Sequence, residues 1–239
     1  MTTTLETNHT PPPTTGTALA VSDLTKIYGE GRTAVTAVDG ATFGVEGNEF
    51  VGLLGPSGSG KTTLLSMVGG LLTPTEGTIH IGGTDLTTLS KREQTRFRAN
   101  NIGFVFQSFN LVPFLTAREN LTVMASISDA PRKQIEARAD QLLEELGLGE
   151  RRNNLPEQLS GGERQRVAIG RALVTDPALI LVDEPTASLD TELGTAVVKL
   201  LAREVKKRGK AGIMVTHDLR MVEFTDRTLR IVDGALSQE

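Results

Sequence analysis

Residues 55–62 read Gly55-Pro56-Ser57-Gly58-Ser59-Gly60-Lys61-Thr62, the pattern G-x-x-x-x-G-K-[ST]. The short apolar run 49–54 (EFVGLL) precedes it and a helical pattern over 61–72 follows it, so the glycines stand where a buried strand turns into a helix. That placement suits one chemistry. A phosphate chain is anionic and needs several donors at once. Glycines let the backbone N–H groups turn inward with no Cβ in the way, and the start of the helix adds its positive end. Lys61 then reaches the β- and γ-phosphates, and the Thr62 hydroxyl binds Mg²⁺.

A second acidic feature fits the first. Residues 179–182 are an uninterrupted apolar run that ends in Asp183-Glu184, and the carboxyl ends of parallel strands converge on the ligand in open α/β sheets. Asp183 can hold Mg²⁺ through water, and Glu184 can orient or deprotonate an attacking water. His217 likewise follows an apolar strand pattern, 211–216, which aims it at the same edge. Ser160-Gly161-Gly162-Glu163 opens a helical run and matches a capping box, with Ser160 as cap and Glu163 reaching back three residues. The box leaves the two glycines unexplained, because they weaken a helix start. They do leave its N–H groups open to a phosphate.

Taken together, the loop, the segment 159–173 (LSGGERQRVAIGRAL) and the segment 179–190 (LILVDEPTASLD) resemble the ATP-binding-cassette (ABC) ATPases. The resemblance runs from about residue 18 to 232. It implies an α/β fold: a P-loop NTPase cassette with a mainly parallel core sheet, an antiparallel β subdomain and an inserted α-helical subdomain. It implies ATP and Mg²⁺ as cofactors, with the phosphate loop extending through Thr63. Tyr28 matches the aromatic that stacks on adenine. Gln107 matches the glutamine that touches Mg²⁺ and the attacking water. Ser160, Gly161 and Gly162 match the signature that binds the γ-phosphate held by a second cassette. Asp190 matches a carboxylate at the dimer interface, and His217 the switch histidine on the γ-phosphate. Glu163 stands where glutamine is common, Thr62 where serine is commoner, and Gly47-Asn48-Glu49 carries one residue more than the usual turn. None of these departures removes a catalytic group, so a competent ATPase is expected: catalysis by Glu184, His217, Gln107 and Lys61, and metal on Thr62, Gln107 and Asp183.

The stretch 103–113 (GFVFQSFNLVP) with 116–121 (TARENL) looks like the cassettes of the macrolide-export and lipoprotein-release group. That resemblance implies a homodimer of cassettes at the cytoplasmic face of the membrane. It would drive a permease with few spans and a large extracytoplasmic domain, most simply for export. A cell-division type that transmits force without transport, and a soluble ABC protein acting on nucleic acid or ribosomes, are the competing readings. A P-loop kinase has no use for Ser160-Gly161-Gly162. Phe109, Leu111, Val112, Phe114 and Leu115 form an apolar cluster without clean periodicity, which suits either core packing or a groove for a short helix of the membrane subunit.

The rest of the chain must position these groups. Its 239 residues allow one large domain or two small ones. The organisation expected is a Thr/Pro-rich disordered tail over 1–17 and a cassette over 18–239, with a helical insert at about 90–175. Strands are expected at 18–28 (as an edge), 41–45, 49–54, 77–81, 179–182 and 211–216, with a hairpin over 228–238 around Asp233-Gly234. Helices are expected at 61–72, 116–127, 133–146, 164–174 and 191–207. A net charge of −4 argues against a general nucleic-acid coat protein. The absence of cysteine excludes disulfides, thiolate metal sites and cysteine nucleophiles. No apolar run reaches the roughly 18–20 residues that span a bilayer, and the first residues do not read as a secretory signal.

Overall fold

The structure is a computed structural model that describes residues 17–187 and 189–238. Of the tail expected over 1–17, residues 1–16, with His9, lie outside the described residues, as do positions 188 and 239; Thr17 is not tail but opens the first strand. Ten strands form one sheet, in the order β5-β4-β1-β2-β10-β9-β3-β8-β7-β6. They are β1 (Thr17–Tyr28), β2 (Val35–Glu46), β3 (Phe50–Leu54), β4 (Glu76–Ile81), β5 (Thr84–Asp85), β6 (Ile102–Val105), β7 (Leu179–Asp183), β8 (Ala211–Val215), β9 (Arg227–Val232) and β10 (Ala235–Gln238). The helices are α1 (Lys61–Val68), α2 (Lys91–Asn101), α3 (Ala117–Thr122), α4 (Arg132–Glu145), α5 (Gly161–Leu173) and α6 (Thr191–Lys207).

The run β9-β3-β8-β7-β6 is parallel throughout. The flank β5-β4-β1-β2 is antiparallel. Among the described residues the parallel pairing of Ala235 with Asp39 joins β10 to β2 and so links the two parts of the sheet. Strands buried on both faces should read as continuous apolar runs, and they do. All five residues of β3 and of β8 are buried. Along β7, Leu179 and Leu181 face the core shared with α1 and the antiparallel strands, whereas Ile180 and Val182 face the core shared with α3 to α6. That alternation is the period of two of a strand.

Four local expectations need correction. β1 is not an edge: it pairs with β2 on one side and β4 on the other. Its alternation is blurred by a bulge, where the register shifts between Val21 and Leu24 and Asp23 takes a φ of 49°. α1 stops at Val68 rather than continuing to 72. Gly70 turns left-handed at a φ of 62°, and Leu71 ends 54% exposed instead of on the apolar side. The helix expected over 116–127 is α3 followed by a 3-10 turn, Val123–Ser126. Within the span 90–175, β6 is a strand of the main sheet and pairs with β7. Gly103 allows this, since a Cβ there would lie 2.3 Å from the Ala172 carbonyl oxygen of α5. The face named for 133–146 is as expected, with Ile135, Ala139, Leu142, Leu143 and Leu146 all buried.

Candidate nucleotide site

Because β3, β7, β8 and β6 run parallel, their carboxyl ends share one edge of the sheet. β3 leads into the 55–60 loop, β7 ends at Asp183, β8 leads through the fully buried Thr216 to His217, and β6 leads to Gln107. The loop is clamped by backbone from both parts of the sheet. A Cβ on Gly55 would lie 2.1 Å from the Ile231 carbonyl oxygen, and one on Gly60 would lie 2.1 Å from that of Ala37. The N–H of Gly234 donates to the Ser59 carbonyl at 3.1 Å, and the N–H of Asp39 donates to the Gly234 carbonyl at 2.9 Å. The hairpin at Asp233-Gly234 therefore buttresses the loop. Its turn was legible in sequence, but this role was not, since nothing local marks a partner about 175 residues away. Pro56, Ser57, Gly58 and Thr62 face solvent, Thr63 is half-buried and Ser59 is buried with its Oγ unpaired.

Lys61 is buried and folds back onto its own loop. Its Nζ donates to the carbonyl oxygens of Gly55 at 2.8 Å and Pro56 at 2.7 Å. Its charge also reaches Asp183, whose carboxyl is pushed up by burial and by neighbouring Glu184, with Lys61 pulling the other way. Glu184 holds a left-handed φ of 46°, and its N–H donates to the Val215 carbonyl at 3.0 Å. For a non-glycine residue that conformation costs about 1–2 kcal/mol, which the surrounding structure must enforce. The His217 Nδ1 lies 2.9 Å from Glu184 Oε1 and 2.8 Å from Oε2. Only the first contact has hydrogen-bond geometry, and Oε2 is buried without a partner.

Tyr28 closes β1 opposite Val35, two residues from Ala37, and is 45% exposed with Lys26 Nζ 5.3 Å from its ring centre. Gln107 is exposed. Ser160 caps α5 as expected: its Oγ accepts from the N–H of Glu163 at 3.2 Å, and its own N–H donates to Glu163 Oε2 at 2.8 Å. Those bonds hold the Glu163 carboxyl below its ordinary range. Gly161 and Gly162 pack on the next segment, where a Cβ would meet Leu189 at 3.4 Å and Leu193 at 2.6 Å. Asp190 caps α6, accepting from the N–H of Leu193 at 2.9 Å. The segments around Ser160 and Asp190 are thus packed together.

A divalent cation fits this donor set. Among the described residues no group of three or more His, Cys, Asp or Glu is placed to hold a metal. Mg²⁺ needs no such cage, because it binds through one or two protein groups plus substrate phosphates. The Thr62 hydroxyl and the Asp183 carboxylate beside the loop are of that kind.

An open apolar cavity of about 440 Å³ lies elsewhere, lined by Leu71, Phe104, Phe106, Val123, Met124 and Ile127 among others. The cluster picked out in sequence does not line it. Phe109, Leu111, Val112 and Leu115 are half-buried, and Phe114 is 77% exposed.

The ABC transporter family profile matches residues 38–187. The chain is 46% identical over 220 residues to the putative hemin import ATP-binding protein HrtA of Staphylococcus aureus (strain bovine RF122 / ET3-1), covering 92% of this chain and 99% of that one. Among solved structures, the dimeric post-hydrolysis state of the ATP-binding cassette MJ0796 bound to ADP and Pi matches with a TM-score of 0.80 and 36% identity. That match covers 92% of this chain and 98% of the other. The cbiO1 protein from Clostridium perfringens, part of the ABC transporter complex cbiONQ, matches with a TM-score of 0.83 and 28% identity over 93% and 88% of the two chains.

Proposed function

The chain belongs to the ABC transporter family as an ATP-binding cassette, an ATPase that binds ATP and Mg²⁺, and from that premise we propose that two copies close head to tail around two ATP and drive a membrane permease. The observation that carries the reading is the shared sheet edge. It brings Lys61, Asp183, Glu184 and His217 to one place, with the Lys61 charge felt at Asp183.

The residues act as follows. Lys61 exchanges its two loop carbonyls for phosphate oxygens, and the N–H groups of the loop bind the same chain of phosphates. Thr62, Asp183 and Gln107 would hold Mg²⁺, which would supply positive charge to neutralise that developing on the transferred group. Tyr28 stacks on the adenine. Glu184 accepts a proton from the attacking water as the new P–O bond forms, and the bond to the leaving ADP oxygen breaks. His217 keeps the Glu184 carboxylate oriented through Nδ1 and contacts the γ-phosphoryl group with the rest of its ring. Positioning and electrostatics do most of this work. The partner copy covers the nucleotide with Ser160, Gly161 and Gly162, and Asp190 lies at the same seam. Glu184→Gln should keep ATP binding, lose about 10²–10⁴-fold in hydrolysis, and elute as a dimer in Mg-ATP. Turnover at the wild-type rate would overturn the assignment of the base.

No described helix is long and apolar enough to cross a membrane, so the span belongs to a partner. The apolar cavity beside Phe106, one residue before Gln107, supports docking of a short permease helix there, at the cytoplasmic face. The name of the staphylococcal relative supports hemin as cargo, or a similar flat amphipathic molecule. That name says import, whereas the resemblance of residues 103–113 to the macrolide-export and lipoprotein-release group supports extrusion, which we adopt. ATP-dependent hemin uptake by inside-out vesicles carrying the complex tests the direction; accumulation only in right-side-out vesicles would reverse it.

A further inference from the structure

Gln165 is fully buried, with none of its surface exposed, and neither its Oε1 nor its Nε2 has a hydrogen-bond partner. A buried, unpaired amide is expensive, and the fold shows that it can satisfy such groups. Asn120 is equally buried and makes four bonds: from the Val112 N–H, and to the carbonyls of Val112, Leu115 and Thr116. Gln94 donates to the Leu86 carbonyl at 3.1 Å. Among the described residues Gln165 is therefore the exception among buried carboxamides, although Ser59, Ser128, Arg138, Arg166 and Glu184 also hold a buried unpaired atom, and it has a definite location. It follows Gly161 by four residues and Gly162 by three, so it shares their face of α5. Helix side chains lean toward the N-terminus, which lays its amide over the turn of those two glycines. That face packs on Leu189 and Leu193, at the junction of the 184–190 segment and α6.

We propose that Gln165 is a positioning residue for hydrolysis: its amide becomes paired with backbone of the 184–190 segment when α5 shifts on closure of the ATP sandwich, and so favours the closed form. This rests on the head-to-tail dimer proposed above. The amide is unpaired in the single cassette, so closure both removes that cost and gains a bond. An element with two arrangements, one of them better bonded, is what a ligand can bias. The segment that would receive the amide runs from Glu184 to the Asp190 cap. It joins the water-activating carboxylate of one site to the α5 start that covers the other.

The test uses the Glu184→Gln protein, whose ATP-dependent dimerisation serves as the reference. Replacing Gln165 by Met in that background keeps length and volume and removes both polar atoms. Without nucleotide, the melting temperature should rise by about 2–8 °C. The ATP concentration for half-maximal dimerisation should rise about tenfold. Gln165→Leu serves as a second variant with the same expected signs. A purely structural glutamine would move the two readouts in the same sense. A fall in melting temperature means that the amide is already paired, for instance by a buried water, and overturns the proposal. So does unchanged ATP dependence. If the Glu184→Gln protein itself does not dimerise with ATP, the dimer reading fails instead.

Discussion

Gly60 and Gly58 lie two residues apart in the same loop, and the structure assigns them different penalties. Both have left-handed backbone, with φ of 105° and 79°, so alanine at either costs about 1–2 kcal/mol of conformational energy. At Gly58 nothing lies within 4 Å of an added Cβ. At Gly60 the Ala37 carbonyl oxygen would lie 2.1 Å away, about 0.9 Å inside the 3.0 Å limit of real Cβ contacts. The Ile231 Cδ1 methyl, at 3.3 Å, could give way, but the Ala37 carbonyl is not the end of a flexible side chain. The obstruction is backbone of β2, held by pairing with β1 and through Asp39 with Gly234. The loop must move instead, for roughly a further 1–3 kcal/mol. At about 2–4 °C per kcal/mol for a domain of this size, Gly58→Ala should lower the melting temperature by about 2–8 °C and Gly60→Ala by about 4–20 °C. Gly60 immediately precedes Lys61, so the same displacement carries the ammonium and the first helical N–H groups off target. A shift of about 1 Å costs on the order of 10²-fold in rate. Calorimetry without nucleotide and steady-state Mg-ATP hydrolysis measure the two effects separately. Equal losses of stability for the two variants, or hydrolysis by Gly60→Ala within threefold of the wild type, would refute the reasoning.

Asp183 gives a pH prediction. Burial and Glu184 raise its carboxyl above the ordinary range, so the folded state binds the proton more tightly than the unfolded chain. Its contribution to stability is then fully present below the unfolded value and is lost as pH rises through the folded value. Asp183→Asn should therefore melt higher than the wild type at pH 7 without nucleotide. The gap should narrow as the pH falls toward 4, while Mg-dependent hydrolysis is lost at every pH. Tyr28→Ala should raise the KM for ATP about 2–10-fold through lost stacking and leave kcat in place, and Tyr28→Phe should restore KM.

The sequence revealed the site more readily than its supports. Gly55 to Thr62, Asp183-Glu184 and Ser160 to Glu163 are local patterns whose chemistry is set by residue type and short spacing, so they could be read directly. The apolar strands β3, β7 and β8 were legible for the same reason. α2 was missed as a helix because its sequence, KREQTRFRANN, buries only Gln94 and Ala99 and shows little apolar periodicity. Its capping box, Ser90 with Glu93, was the available signal. β6 has four residues, one of them Gly103, and only its tertiary partners β7 and α5 make it a strand. The clamps on the loop by Ala37, Ile231 and Gly234, and the contacts of Gly161 with Leu189 and Gly162 with Leu193, are carbonyls and methyls brought from distant segments. No local pattern encodes such contacts. The second glycine of the proposed signature illustrates this: the proposed phosphate access gives one reason for its absent Cβ, and a Cβ there would also lie 2.6 Å from the Leu193 Cδ1 methyl, so that side chain would have to move.

The polar groups assigned to ATP are not idle in the single cassette. Lys61 is bonded to Gly55 and Pro56, Ser160 to Glu163, Asp190 to the N–H of Leu193, and His217 to Glu184. Binding nucleotide is then mostly an exchange of bonds, and such exchanges contribute little net free energy each. The groups left unpaired have a different standing. Among the described residues the buried side-chain atoms without a hydrogen bond are Ser59 Oγ, Glu184 Oε2 (still 2.8 Å from His217 Nδ1) and the Gln165 amide, besides Ser128 Oγ, Arg138 Nε and Arg166 Nε. The first three occur at the 55–60 loop, at the carboxylate proposed to activate water and behind the turn at Gly161-Gly162. In the proposed dimer each would gain a bond and lose a desolvation cost as the site is assembled around substrate and a second copy. On this reasoning the proposed preference for a closed form would come less from the many satisfied contacts than from the unpaired atoms at Ser59, Glu184 and Gln165. Removing the Gln165 amide should loosen closure even as it stabilises the single subunit.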